Sequence, residues 1–336
     1  MGVKLNIAKY FEFLYNKVFV NIVSTRTTST VYMEMINSKG VVISSVDKHF
    51  KTLELDSKMK DFIEQYTQET PFYYISTIDS SPLQWATSEV KNVNKDKNSL
   101  VRCYENSWSY NIANNSMEEI IERYKDIGLD FLFSPFSLLA YFFKEKIDGD
   151  LAMYVLVAED YLTLTIFENS KLLYSKQIET ESNNKDYELH HLELDLSTDE
   201  DEEDGFADIE DIVDIDEETE ESIDLDDFGD IEDLDALEDI EEFSDDKVEE
   251  KVKSDEKISD FDTDYRRFTL LQESINNYYQ DSKYKSDFIE TIYIADSVGV
   301  SGDLKKYFEE ELFLDVYVRQ LDLAYEICDM AKMELK

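Results

Sequence analysis

One short segment of this chain carries residue types that could hold an anion. Residues 23–30 crowd the hydroxyls of Ser24, Thr25, Thr27, Thr28, Ser29 and Thr30 around Arg26. A guanidinium flanked by hydroxyls can grip phosphate oxygens through charge-assisted hydrogen bonds. The same run also reads as a Thr-rich β-hairpin, because β-branched residues favour strands.

Other chemistries find no template. The chain has no G-x-S-x-G, no phosphate-binding P-loop and no H-E-x-x-H. His49, His190 and His191 form no cluster at metal-ligand spacing, and Cys103 and Cys328 lie far apart without a C-x-x-C. These cysteines read as buried thiols of a reducing compartment. Asp224, Asp226 and Asp227 sit near Gly229 but miss the calcium-loop register. Acidic pairs are so frequent that none stands out as a general acid and base.

The charge is concentrated. The chain has 336 residues and a formal charge of −45, and residues 199–250 hold 30 Asp or Glu against Lys247 alone, which leaves about −16 elsewhere. Such a surface repels phosphate, so nucleic acid and anionic bilayers are excluded as partners on charge. No apolar run reaches the ~20 residues that span a bilayer. The longest, residues 129–143, is broken by Asp130, Ser134 and Pro135.

The elements that must position these residues read as a repeat. Strands are expected over 18–24, 27–36 and 41–46, then a helix capped by Asp56 or Ser57 and running to about residue 68. A strand follows over 72–78. Residues 79–115 are polar and unassigned. Ser116 with Glu119 suggests a capping box opening a helix, and a strand over 129–133 precedes a helix with Pro135 at its first position. The second half repeats this order. Strands are expected over 152–158, 161–167 and 171–178, then a helix capped by Thr263, a strand over 288–295, a helix from Ser301 or Gly302, a strand over 314–318 and a final helix. The expected organisation is an N-terminal segment (1–17), a first lobe (18–148), a second lobe (149–197 plus 263–336) and an acidic disordered loop (198–262). Within that loop Ile231, Leu234, Leu237, Ile240 and Phe243 recur at three-residue spacing. The segment is either a solubilising insertion or a partner-binding stretch that folds on docking.

Three regions carry a resemblance to a known family. The strand meander over 153–178 resembles the opening of the second lobe in actin-like ATPase-fold proteins. Residues 289–308, from Ile289 through Gly299 and Gly302 to Phe308, resemble the "I..I.L.GG....GL...L" signature of the type IV pilus assembly protein PilM and of the cytoplasmic domain of the type II secretion protein GspL. The helix before them, with Ile275 and Tyr278, is similar to the family's preceding helix. The resemblance implies an α/β fold of actin-like type, with two duplicated RNase H-like lobes and a cleft between them. It implies a nucleotide site at Ser24, Thr25, Ser297, Gly299 and Gly302, in degenerate form. ATP-binding members carry Asp and Gly in both phosphate turns, whereas residues 23–30 have neither and residues 158–163 lack Gly. Asp296-Ser297 stands where the family has Gly-Gly. The implied role is a non-catalytic scaffold without a cofactor, cytoplasmic and peripheral to the inner membrane through an assembly-platform protein, with a secretion ATPase as a further candidate partner. A kinase or ATPase using ATP and Mg²⁺, and a filament-forming actin-like protein, are the alternatives.

Overall fold

The computed structural model describes residues 12–88, 99–104, 107–180, 247–281, 287–300 and 302–335. Residues 1–182 and 257–336 fall in one compact unit and residues 183–256 in another. The described part of the second is the first turns of one helix. Ile231, Leu234, Leu237, Ile240 and Phe243 lie outside the described residues.

The first unit holds two five-stranded sheets of one plan. Strands β1 (Lys17–Ser24), β2 (Ser29–Ile36) and β3 (Val42–Phe50) form an antiparallel meander. Helix α1 (Ser57–Thr67) then crosses to β4 (Phe72–Ile78), parallel to β1. An insert follows, with β5 (Gln84–Thr87), β6 (Ser99–Tyr104) and β7 (Trp108–Ala113) in a separate three-stranded sheet. Helix α2 (Asn114–Tyr124) returns the chain to β8 (Phe131–Phe133), parallel to β4, and α3 (Pro135–Phe142) ends the lobe. The first sheet reads β3-β2-β1-β4-β8.

The second lobe repeats the scheme with β9 (Ala152–Val157), β10 (Tyr161–Glu168) and β11 (Lys171–Glu179), helix α4 (Lys247–Gln280), β12 (Thr291–Asp296), α5 (Gly302–Glu311), β13 (Asp315–Gln320) and α6 (Leu323–Glu334). Its sheet reads β11-β10-β9-β12-β13, with the same parallel and antiparallel neighbours. Two mixed sheets of identical order make this a duplicated, two-lobe α/β fold of the actin-like type.

The alternation along the strands explains the layers. On β1, Val18, Val20 and Ile22 pack outward on Met59, Phe62 and Ile63 of α1, while Phe19 and Val23 face the middle of the molecule. On β9, Met153, Val155 and Val157 pack outward on Phe268, Leu271 and Ile275 of α4, while Tyr154 and Leu156 face inward. Both strands are thus buried on two faces, as parallel neighbours require. The middle layer is exchanged: α6, from the second lobe, lies on β1, β2 and β4, and α3, from the first, lies on β9 and β10. Phe136, Leu138, Leu139, Ile327, Cys328 and Ala331 fill this layer. Burial pushes the Cys328 thiol up to about 12, far from a reactive thiolate.

Some expected boundaries move. Asp56 does cap α1, accepting from Met59 N at 2.8 Å, and Ser134 caps α3 in a capping box with Ser137. Helix α2 starts at Asn114 after Ala113, which offers no side-chain cap, so Ser116 lies in its first turn and the Ser116–Glu119 capping box is not the start. Helix α4 begins at Lys247, not Thr263. The preceding Lys- and Glu-rich stretch consists of good helix formers, which propagate the helix backwards. The polar residues 79–115 build the third sheet. Its β5 is tied to β11 by reciprocal bonds between Ser175 Oγ and the Ala86 backbone (3.0 and 2.8 Å).

One ion pair fastens α6 to the first sheet. Lys332 Nζ lies 2.7 Å from Glu34 Oε1 on β2 and 2.5 Å from Asp329, and Glu34 is 2% exposed. Burial opposes the ammonium, yet bonds to Asp329 and Glu34 hold its proton more tightly than usual. Lys332→Ala strands the Glu34 carboxylate, so a loss of about 3 kcal/mol is expected, the low end for a broken buried pair. Urea unfolding measures it. The double change Lys332→Met with Glu34→Gln is expected to recover at least half.

Candidate functional site

The two β-hairpin turns meet at the mouth between the lobes. A cavity of about 410 Å³ is bounded by Ser24, Thr25 and Thr28 from the β1–β2 turn and by Ala158, Glu159 and Asp160 from the β9–β10 turn. Ser297 and Val298, after β12, and Leu321 to Ala324, at the start of α6, complete it. Arg26 Nε stands 3.7 Å from Asp160 Oδ1, an ion pair across the mouth. The site lies at the carboxyl ends of the central parallel strands, where open α/β sheets place ligands.

The first turn spends its hydroxyls on itself. Ser24 Oγ pairs with Ser29 Oγ and Thr25 Oγ1 with Thr28 Oγ1, both at 2.9 Å. Ser29 Oγ also donates to Thr52 O at 2.8 Å, and Thr30 Oγ1 pairs with His49 Nδ1 at 2.8 Å. These bonds belong to a hairpin whose β-branched residues leave no room for a glycine-lined phosphate turn.

The loop after β12 is organised around Asp296. Its carboxylate, on a residue 3% exposed, accepts from Val298 N (3.0 Å), Gly299 N (2.8 Å) and Val300 N (3.0 Å). Converging backbone amides make a nest for an anion, and the chain supplies that anion. Gly299 has φ +76, the left-handed conformation that closes this loop and that side chains disfavour. At the start of α6, Asp322 likewise accepts from Ala324 N (2.9 Å) and Tyr325 N (3.1 Å). Glu159, Asp160 and Asp322 make the lining acidic, against the imidazole of His49.

Of the residues expected to form a nucleotide site, Ser24, Thr25 and Ser297 come together in the cavity wall. Gly299 sits behind it in the Asp296 loop, and Gly302 is the first residue of α5. Ser297 Oγ donates to Val157 O at 2.8 Å and so locks β12 to β9. Sequence reading missed Asp296 as a ligand of its own loop. The signal was an Asp two to four residues before the amides that it caps, an Asx-type pattern.

A second cavity, of about 250 Å³, adjoins the first through Ser24, Thr25, Ser80 and Asp160. Asp79, at the end of β4, lines it and is 1% exposed. Its Oδ1 accepts from Ser81 N at 2.9 Å, while Oδ2 finds no hydrogen-bond partner among the described residues. Burial raises the Asp79 pKa, and bonds from Ser81 and the Arg123 charge offset only part of it. Among the described residues the Tyr161 hydroxyl is also buried without a hydrogen-bond partner, and burial, with the nearby Asp160 and Asp79, keeps it protonated.

With this geometry in hand, the chain can be set beside known proteins. A family model described as "Domain of unknown function (DUF8341)" matches residues 153–336, and one described as "Domain of unknown function (DUF8569)" matches residues 15–140. No curated protein matches. Among solved structures, a Bacteroides thetaiotaomicron protein with actin-like ATPase fold and unknown function is 12% identical, with 99% of this chain and 100% of that chain covered and a TM-score of 0.45. A PilM–PilN type IV pilus biogenesis complex is 9% identical over 89% of this chain and 87% of that chain, at 0.47. The ethanolamine utilization protein EutJ from Carboxydothermus hydrogenoformans is 10% identical over 93% and 86%, at 0.39. The actin-like architecture rests on the repeated strand order itself.

Two substitutions probe the site. Asp296→Ala leaves three amides without their acceptor, and a loss of about 3 kcal/mol is expected. Millimolar inorganic phosphate is expected to raise the melting temperature of that variant and not of the wild type, because the nest is vacated only there. For Asp79 the sign follows from its raised pKa. Above the ordinary carboxylate value of 3.8 the unfolded chain releases a proton that the native state keeps, so wild-type stability falls as pH rises through this window. Asp79→Asn is expected to gain stability over the wild type from pH 4 upward, and equal pH profiles of the melting temperature would refute this.

Proposed function

This chain belongs to the DUF8341 family, and we propose that it is a non-catalytic scaffold that offers an actin-like two-lobe body to partner proteins. The observation that carries this is the Asp296 carboxylate seated on the amides of Val298, Gly299 and Val300. An amide nest already filled by a fixed negative charge has no donors left for a phosphate. The acidic lining of Glu159, Asp160 and Asp322 adds repulsion. The hydroxyls of Ser24 and Thr25 are paired within their own turn. Together these residues do not fit a magnesium-bound triphosphate.

The partner class follows from the resemblance of residues 289–308 to PilM and GspL. We assign the chain to an assembly platform of the type IV pilus or type II secretion kind, held at the inner membrane through a platform protein, with the secretion ATPase as a second contact. Among the described residues no helix is long and apolar enough to cross a membrane. The acidic segment, with Ile231, Leu234, Leu237, Ile240 and Phe243, serves in this reading as a docking arm for a basic partner.

A kinase-like reading has one observation in its favour: the buried carboxyl of Asp79, open on one oxygen, in a cavity shared with Arg26 and Arg123. Titration calorimetry separates the two. The scaffold predicts no ATP–Mg²⁺ binding tighter than millimolar in the intact chain. Micromolar binding restores the kinase and removes the scaffold's main support.

A further inference from the structure

The second sheet ends on a strand built to pair. β13 is the edge of the order β11-β10-β9-β12-β13, and among the described residues no strand pairs with its outer side. An open edge presents unpaired amides and carbonyls to another chain. Asp315 N donates to Glu290 O and Leu321 N to Asp296 O, so the odd-numbered residues of β13 point their backbone groups toward β12. Val316, Val318 and Gln320 therefore point theirs outward.

The side chains along this edge break off an interaction that runs across the sheet. Tyr154, Tyr293 and Tyr317 are directly opposite one another on β9, β12 and β13. Their rings stack in sequence, with centroids 5.2 Å apart for the first pair and 5.3 Å for the second. Among the described residues no ring stacks on the far side of Tyr317, which is 56% exposed, as Val318 is at 39%. Asp315 and Arg319 flank Tyr317 on the same face, two residues to either side. Arg319 is held in place by Phe142, whose ring its guanidinium covers at 4.5 Å.

We infer that β13 pairs antiparallel with β13 of a second copy of this chain, about a two-fold axis at Tyr317. The register is chosen by charge. With the axis at Tyr317, Asp315 of each copy faces Arg319 of the other, and the two Tyr317 rings meet. Val316 and Val318 then oppose each other as hydrogen-bonded pairs, which agrees with the outward direction of their backbone groups. Shifting the axis to Val318 puts Asp315 against Leu321 and loses both ion pairs. Opposite charges directly across a ladder stabilise it and like charges oppose it. The tyrosine stack becomes continuous through the dimer, from Tyr154 of one copy to Tyr154 of the other. Such an isologous contact closes on itself, so it yields dimers and not filaments.

Sedimentation equilibrium of the full chain tests this, at about 0.15 M salt, where long-range repulsion between the acidic chains is screened beyond ~8 Å. A reversible monomer–dimer equilibrium is expected. Val318→Pro removes an outward amide while sparing the bonds to β12, and is expected to weaken the dimer at least tenfold. Asp315→Arg sets like charges opposite each other twice and is expected to do the same. The exchange Asp315→Arg with Arg319→Asp restores the pairs and is expected to return the dissociation constant to within about threefold of wild type, and cooperative thermal unfolding by circular dichroism, recorded for every variant, shows each to be folded. A chain that stays monomeric throughout, or a dimer unmoved by Val318→Pro, overturns the pairing. A dimer that Asp315→Arg leaves intact, or that the exchange fails to restore, overturns the Tyr317-centred register.

Discussion

The architecture depends on burying two central strands on both faces. β1 is apolar from Val18 to Val23 apart from Asn21, and β9 is apolar along its whole length, so each carries apolar residues on both faces. One face of each is covered by the helix of its own lobe. The other would remain open if the lobes stood alone, and it is closed by the last helix of the opposite lobe. Neither lobe can therefore complete its core without the other. The geometry of the mouth between the two hairpin turns follows from that exchange, because α6 enters it at Leu321 and leaves it across the first sheet.

That constraint explains how the cleft holds its form. The lobes are fastened by α3, α6, the Lys332–Glu34 pair and the contacts of the third sheet with β11. None of these needs a bound ligand to hold the turns together. The loop after β12 is likewise self-sufficient, since Asp296 satisfies the amides that an anion would otherwise bind. A cleft stabilised from within keeps its form without a bound ligand.

The order of elements was legible along the chain. Apolar and β-branched runs marked β1, β2, β9 and β10, and 3.6-residue periodicity marked α1 and the second half of α4. Asp56 and Ser134 with Pro135 announced their helix starts through local capping chemistry. The insert sheet was not legible, because β5 to β7 are short strands within a polar stretch rich in Ser and Asn, and β5 is anchored by its packing against β11. The start of α2 was misplaced for a related reason: Ser116 and Glu119 offered a capping box, while the preceding β7 carried the chain into the helix three residues earlier.

For the site, residue types alone established that residues 23–30 hold neither Asp nor Gly and that residues 158–163 hold no Gly, because a missing glycine is a covalent fact that no fold can repair. They also fixed the two-lobe repeat, since hydrophobic period dictates which segments become strands and helices. Only the tertiary structure decided that Ser24, Thr25 and Ser297 share one wall while Gly299 and Gly302 stand back from it. It alone showed that Asp296 turns into its own loop, that Asp79 is buried with one oxygen unpaired, and that Tyr317 ends a stack at an open edge. Each of these is a matter of direction and distance between segments remote in sequence, and such relations exist only once the core has set the elements against one another.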